Sequence, residues 1–141
     1  MIGHLHIKVI LQLILNPYFD WYYQLSKVSD NDGEQQFTHI FFNEDGKMSK
    51  YFNILKPIFT KLKAKDIIRA KINLTHKKET IKQFAYHIDT FKKCKTAIFY
   101  LNTNNGKTLF KDNKQIASIE NRMVIFPSNL DHTGTTHTDK N

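Results

Sequence analysis

Short β-type runs separated by turn residues fill the second half of the chain, from residue 84 to residue 126. The runs are rich in β-branched and aromatic side chains, and the turns contain Asn, Asp and Gly, which favour tight reversals. A parallel connection needs a dozen or more intervening residues, so strands spaced this closely pair antiparallel. The pattern therefore predicts a mostly β fold, a sandwich or a barrel, for this half of the chain.

The predicted elements of this half follow one another without long gaps. They are a strand over residues 96–102, a hairpin turn at 104–106, its return strand from 107 to 110, a turn at 112–114, a strand over 115–119, and a buried strand over 122–126 that Pro127 ends. A buried strand that stops at a proline delivers its C-terminal end to a loop, where functional side chains are common.

The first half reads as a helical layer with a few strands. Ser49 is predicted to cap a helix that Pro57 either kinks or restarts in a new first turn. The apolar stripe of this helix consists of Phe52, Leu55, Phe59 and Leu62. The apolar run 7–15 predicts a buried strand or helix, because it is too short to span a bilayer. The aromatic residues at 18–23 are predicted to pack a short helix onto the core.

Two further stretches of the first half are predicted as strands, residues 37–42 and 69–74. In the second of these, Arg69, Lys71 and Asn73 alternate with apolar residues, which is the pattern of a strand with one buried face. The polar face of this strand is a candidate wall of a cleft. Residues 29–36 are expected to form a polar loop.

With 141 residues the chain is expected to form one domain. Its formal charge of +8 suggests binding to nucleic acid. However, the lysines do not cluster, and the sequence has no signature of a nucleic-acid-binding module. We therefore expect no specific nucleic-acid partner, and a basic polyanion-binding domain stays as an alternative. The single Cys94 excludes an internal disulfide, which fits a reducing compartment. A cytoplasmic protein without a membrane partner is the expectation.

A His-x-Asp pair lies in the stretch from residue 84 to residue 90. On a strand, His87 and Asp89 project from the same face. His132 follows the buried strand 122–126 and is a candidate third ligand. Two imidazoles and one carboxylate on one side of an octahedral ion leave three positions open, as in non-haem Fe(II) oxygenases. The alternative is a solvated strand face that carries no metal.

Beyond this triad, an ordered set of segments resembles a known family. The segments are residues 86–90, 96–102, 105–110 and 120–128, followed by His132, with weaker echoes at 21–23, Pro57 and 69–74. In this order and spacing they resemble the 2-oxoglutarate and Fe(II)-dependent dioxygenases, in the prolyl 4-hydroxylase-like branch common in bacteria and phages. The resemblance covers most of the chain.

The resemblance implies a double-stranded β-helix, which is a jelly-roll sandwich of the cupin type. It implies that His87, Asp89 and His132 bind Fe(II), with 2-oxoglutarate as cosubstrate and ascorbate as a reductant. The implied reaction hydroxylates a small-molecule or peptidyl substrate, peptidyl proline being one candidate, and releases succinate and CO2. Tyr100 matches a position whose phenol binds the distal carboxylate of 2-oxoglutarate. Asn73 and Lys71 are further candidates for the same cavity.

One departure from the family concerns the basic residue about ten positions after the distal histidine, which pairs with the distal carboxylate. The sequence stops before that position. Lys140 is a substitute on the assumption that its side chain projects from the same strand face as the family's basic residue. We therefore expect a truncated domain in which residues 1–66 form a helical support and residues 67–141 form a jelly-roll without its last strand. A noncatalytic binding domain on the same scaffold is the alternative, and His137 is expected to face solvent.

Overall fold

The computed structural model describes residues 3–25 and 35–140. Over these residues the chain forms two α-helices, one 3-10 helix and eight strands. In chain order they are α1 (His4–Ile14), β1 (Tyr22–Gln24), β2 (Gln36–Asn43), the 3-10 helix (Phe52–Leu55), α2 (Lys56–Leu62), β3 (Arg69–Leu74), β4 (Lys95–Phe99), β5 (Lys107–Phe110), β6 (Gln115–Ala117), β7 (Met123–Pro127) and β8 (His132–Gly134). Among the described residues, no helix combines the length and apolar character needed to cross a membrane.

The strands form three small antiparallel sheets. The first has the order β1-β2-β3, the second pairs β4 with β7, and the third has the order β6-β5-β8. The mostly β architecture with a few helices agrees with the sandwich predicted from the strand pattern. Residues 3–66 contribute β1 and β2 as well as helices, so this region supplies part of the β structure and is not a purely helical support.

The main apolar core lies between the first sheet and the N-terminal helix. In α1, Ile7, Ile10 and Ile14 are buried at the spacing of three or four residues that places side chains on one helix face. Ile10 and Ile14 pack with Phe41 of the central strand β2. The alternation in β3 is confirmed, since Ala70 and Ile72 pack on this core while Arg69, Lys71 and Asn73 are exposed.

The second and third sheets pack against each other through aromatic side chains. The rings of Phe110 on β5 and Phe126 on β7 meet edge to face, with 5.1 Å between their centroids. The hydroxyl of Tyr100, just after β4, lies 2.6 Å from Thr108 Oγ1 on β5. These contacts across the two sheets form a second, smaller interior beside the one built on α1.

The predicted hairpin at residues 104–106 is wrong. Strand β4 pairs with β7, while β5 pairs with β6 and β8, so the turn carries the chain from one sheet to another. Gly106 does not adopt the positive φ that a two-residue hairpin of this sequence requires. Instead the Asn104 side chain accepts a hydrogen bond from Gly106 N at 2.8 Å, which closes a local Asx turn.

The predicted turn at residues 112–114 is confirmed, and it closes a hairpin between β5 and β6. Phe110 N donates to Lys114 O at 3.0 Å, and Asn113 takes a positive φ of 67°. Asparagine tolerates this left-handed conformation better than most residues. The predicted strands at 115–119 and 122–126 appear as β6 and β7.

Two expectations for the first half are corrected. Pro57 lies in the first turn of α2, which follows the 3-10 helix, so the chain starts a new helix there and Ser49 does not cap it. The aromatic stretch at 18–23 is a turn followed by β1, because Tyr22 and Tyr23 pair with β2. Only Phe19 and Trp21 of this stretch pack on the core. The predicted loop at 29–36 lies outside the described residues, except for Gln35 and Gln36.

Candidate metal centre

The two histidines of the predicted triad come from neighbouring antiparallel segments. Residue His87 pairs with His132, the first residue of β8, in an isolated bridge. His87 N donates to His132 O at 3.0 Å, and His132 N donates to His87 O at 3.0 Å. Since directly opposite residues in an antiparallel pair project to the same side, the two imidazoles lie side by side, with ring centroids 4.5 Å apart.

The carboxylate reaches the same place because the chain just after β7 holds it there. Asp89 N donates to Ser128 O at 3.0 Å, and Ser128 N donates to Cys94 O at 3.1 Å. The C-terminal end of the apolar strand β7 thus lies at the site and holds Asp89 there, as the sequence pattern predicted. Asp89 is two residues after His87 and lies in a bend rather than in a strand, and its Oδ1 comes within 3.8 Å of His87 Nε2.

The three side chains converge without touching. Asp89 Oδ1 lies 3.8 Å from His87 Nε2, and Asp89 Oδ2 lies 3.7 Å from His132 Nε2. One donor atom from each residue falls within 4.8 Å of the others, so the group could hold a metal ion. Two donors bound at about 2.1 Å and at right angles are about 3.0 Å apart. A cation would therefore draw the donors together by roughly 1 Å.

Backbone carbonyls fix which nitrogen of each imidazole faces the ion. Leu130 O lies 2.9 Å from His132 Nδ1, and Ala85 O lies 3.5 Å from His87 Nδ1. A carbonyl oxygen only accepts hydrogen bonds, so the neutral form of each ring that suits this contact carries its proton on Nδ1 and its lone pair on Nε2. A partner of this kind on the second nitrogen is the usual support of a metal-binding histidine.

A chain of hydroxyl groups holds the carboxylate from behind. Thr96 Oγ1 donates to Asp89 Oδ2 at 2.5 Å and lies 3.0 Å from Ser128 Oγ. Cys94 Sγ lies 3.2 Å from the same Ser128 oxygen. Each group has one proton, so the bonds run from Cys94 through Ser128 and Thr96 to Asp89. The bond from Thr96 occupies one lone pair of Asp89 Oδ2, so Oδ1 is the more available oxygen for a metal.

The three ligands differ in exposure. The His132 side chain is 6% exposed and meets the edge of the Phe126 ring, with centroids 4.7 Å apart. Asp89 is 18% exposed and His87 is 36% exposed, so the site opens on the side of His87. Burial, followed by the neighbouring His132, lowers the pKa of His87 below its ordinary value. The neutral imidazole favoured by this shift is the form that binds metals.

The polar face of β3 borders the open side, as the alternation of its sequence suggested. The Arg69 guanidinium lies 3.7 Å from Asp89 Oδ1, and its side chain is 46% exposed. Lys71 is exposed by area, yet desolvation by burial, followed by the charge of Arg69, lowers its pKa, while Asp89 opposes the shift. Asn73 shares this face and is exposed.

Tyr100, Lys140 and His137, which the sequence also singled out, do not join the group formed by His87, Asp89 and His132. Tyr100 is half-buried, and burial raises the pKa of its phenol, so the group keeps its proton at neutral pH. Lys140 is exposed and lies beyond Gly134, where β8 ends, so the strand parity assumed for it does not hold. His137 is buried rather than solvent-facing, and its Nε2 lies 3.3 Å from Thr75 O.

Comparison of the chain with protein-family models, with curated proteins and with solved structures found no match in any of the three. What the fold and the site define is a mostly β protein whose His87, Asp89 and His132 side chains form a candidate metal centre. The donor set of two imidazoles and one carboxylate suits a divalent transition metal and fills only part of its coordination sphere.

The hydroxyl that supports the carboxylate gives a first testable prediction. Replacing Thr96 by Val keeps the β-branched shape but removes the donor to Asp89. We expect the dissociation constant for Co(II) to rise about 10- to 100-fold, the usual effect of losing a partner of a metal ligand. Thr96→Ser keeps the hydroxyl and should retain most of the affinity. Absorption titration with Co(II) measures both, and equal affinity of Thr96→Val and the native protein would contradict the role of Thr96.

Proposed function

We propose that this chain is a domain of a non-haem Fe(II)- and 2-oxoglutarate-dependent dioxygenase that hydroxylates a small-molecule or peptidyl substrate. The observation that carries the proposal is the convergence of two imidazoles and one carboxylate from segments more than 40 residues apart. Both imidazoles turn Nε2 toward the carboxylate, and no fourth His, Cys, Asp or Glu in the described residues joins the group. Such a set keeps positions free for a chelating cosubstrate and for O2.

The order of strand pairing supports a jelly-roll for this domain. Counting from β3, the extended segment with residues 83–87 is second, and β4 to β8 are third to seventh. The second element bridges to the seventh, the third pairs with the sixth, and the fourth pairs with the fifth. This nested antiparallel pairing is what two Greek keys folded into a double-stranded β-helix produce. His87 lies on the second element and His132 on the seventh, and Asp89 follows the second element directly.

When bound, Fe(II) with 2-oxoglutarate and O2 supplies the oxidation of one C–H bond to an alcohol, with succinate and CO2 as the other products. The residues of this chain hold and shield the centre. His87, Asp89 and His132 supply three ligands, and Thr96 fixes the orientation of the carboxylate. The rings of Phe126 and Phe110 close the inner side of His132 and exclude water there. Ascorbate would be the reductant that keeps iron ferrous at such a centre.

Some of the predicted cosubstrate residues lie away from Asp89. Of these, Tyr100 has the most suitable position for binding 2-oxoglutarate. Its phenol is protonated and belongs to the interior between the second and third sheets, where its oxygen lies 2.6 Å from Thr108 Oγ1. Thr108 lies two residues before Phe110 on β5, so both side chains project toward the same interior. We propose that a carboxylate of 2-oxoglutarate receives a hydrogen bond from Tyr100 or Thr108.

The proposal is tested by the absorption of the Fe(II) complex under anaerobic conditions. Adding 2-oxoglutarate to the Fe(II)-loaded protein should produce a metal-to-ligand charge-transfer band in the visible region. The band should persist in His76→Ala, whose imidazole is exposed, and disappear in His132→Ala. Admission of O2 should then yield succinate. A native protein that binds Fe(II) but shows no band with 2-oxoglutarate would overturn the proposal in favour of a noncatalytic scaffold.

A further inference from the structure

A positive side chain lies against the one candidate ligand that carries a charge. Arg69 projects from the exposed face of β3, and its guanidinium nitrogen Nη2 is 3.7 Å from Asp89 Oδ1. Thr96 donates a hydrogen bond to the other oxygen of the same carboxylate, Oδ2. The two oxygens of Asp89 therefore have different neighbours, a neutral hydroxyl at Oδ2 and a positive charge beside Oδ1.

The oxygen beside Arg69 is the one that is more available to a metal. Asp89 Oδ1 lies 3.8 Å from His87 Nε2, while the bond from Thr96 takes a lone pair of Oδ2. With both imidazoles neutral, the metal-free group contains one negative charge and the one positive charge next to it. Arg69 thus balances Asp89 in the way that a bound cation would.

The contact between Arg69 and Asp89 is one that opens easily. Its separation of 3.7 Å exceeds the 2.7–3.2 Å typical of a direct hydrogen bond, so the attraction is between charges and does not come from paired hydrogen bonds. The Arg69 side chain is also 46% exposed. A guanidinium this exposed can turn into water, because an ion pair at the surface contributes little to stability.

Arg69 opposes the binding of a divalent ion to Asp89. An ion at about 2.1 Å from Oδ1 would lie within about 6 Å of the guanidinium nitrogen in its present position. Repulsion between charges of +2 and +1 at this separation weakens binding about 10-fold, even with the dielectric constant of bulk water. Movement of Arg69 into solvent relieves the repulsion but gives up the attraction to Asp89, so metal binding is weakened in either case.

We propose that Arg69 is an internal competitor of the metal. It pairs with Asp89 in the metal-free protein, holds the carboxylate at the site, and moves away from it when a divalent cation binds. The proposal rests on the metal centre of the proposed function and makes no use of the cosubstrate. Arg69 is thus a positioning residue that lowers the affinity for the metal, whereas Thr96 raises it.

Substitutions that separate charge from shape test this role. Arg69→Met removes the charge but keeps much of the apolar stem, and we expect it to lower the dissociation constant for Co(II) about 10-fold at low ionic strength. Arg69→Lys keeps the charge and should stay within about three-fold of the native constant. In 1 M salt, where the Debye length is about 3 Å, the gain in Arg69→Met should shrink to within about two-fold. Absorption titration with Co(II) measures each constant.

The matched control is Lys107→Met, which removes an exposed positive charge from β5 and should bind Co(II) like the native protein at both ionic strengths. In the native protein itself, the guanidinium NMR signals of Arg69 should shift when Zn(II) is added. Unchanged or weaker Co(II) binding in Arg69→Met, a gain that 1 M salt does not reduce, or guanidinium signals that Zn(II) leaves in place would overturn the proposal.

The same titrations separate failure of this proposal from failure of the proposed function. A native protein that binds Co(II) while Arg69→Met gains no affinity would overturn only the role of Arg69. A gain in Arg69→Met together with no charge-transfer band on addition of 2-oxoglutarate to the Fe(II) protein would support the role of Arg69 and overturn the proposed function. Failure of both proteins to bind Co(II) would overturn the metal centre and both proposals that rest on it.

Discussion

Replacing Asp89 by Ala should reduce the affinity for a divalent metal by at least about 100-fold. Loss of a partner of a metal ligand already costs 10- to 100-fold, and removal of the ligand itself costs more. The change also deprives the Thr96 hydroxyl of its acceptor and leaves the two imidazoles as the remaining donors of the triad. Titration with Co(II), followed by absorption in the visible region, measures the dissociation constant of the native protein and of the variant.

The matched control is an aspartate that has the same charge but lies at the surface. Asp112 is exposed in the turn between β5 and β6, where it pairs with Lys114. Asp112→Ala should leave the metal affinity within about two-fold of the native value, because a surface ion pair contributes little. If Asp89→Ala bound Co(II) as tightly as Asp112→Ala does, the carboxylate at residue 89 would not be a ligand.

Replacing Phe126 by Ala should lower the free energy of unfolding by about 3–5 kcal/mol, the usual cost of deleting a buried aromatic ring. The Phe126 side chain is buried and touches the rings of Phe110 and His132. Its removal leaves a cavity between the second and third sheets and frees one side of the His132 imidazole. Urea denaturation followed by circular dichroism gives the free energy of unfolding.

Phe91 provides the same substitution at the surface. Its side chain is 91% exposed, so Phe91→Ala should change the free energy of unfolding by no more than about 0.5 kcal/mol. A loss below about 1 kcal/mol in Phe126→Ala would show that the two sheets do not pack through this ring. The interior described for the centre would then be wrong.

Local sequence pattern was enough to predict most strands and the three candidate ligands. Hydrophobic alternation reports which face of a segment is buried, so Arg69–Leu74 and its polar face could be predicted without any partner strand. Strand geometry predicted that His87 and Asp89 share a face, but the structure forms no regular strand there, and His87 makes only an isolated bridge while Asp89 lies in a bend. His132 was a candidate third ligand from its place after the strand 122–126, the resemblance implied the same set, and the structure brings the three together through the bridge between His87 and His132.

Strand partners and supporting residues could not be predicted in the same way. The turn at residues 104–106 has hairpin residues, but turn chemistry reports a local reversal and not which strands then pair. Thr96 and Ser128 support Asp89 from 7 and 39 residues away, and hydroxyl residues are too common in strands to signal that role. His137 is buried, and its backbone oxygen accepts a hydrogen bond from Lys78 N, a long-range contact that no local pattern reveals.

A crystal structure of the protein with Mn(II), solved with anomalous scattering, tests the metal centre most directly. We expect one anomalous peak bonded to His87 Nε2, His132 Nε2 and one oxygen of Asp89, each at about 2.0–2.2 Å, with the remaining positions held by solvent or a 2-oxo acid. A peak elsewhere on the molecule, or an ion that His132 does not reach, would contradict the metal centre and the function proposed from it.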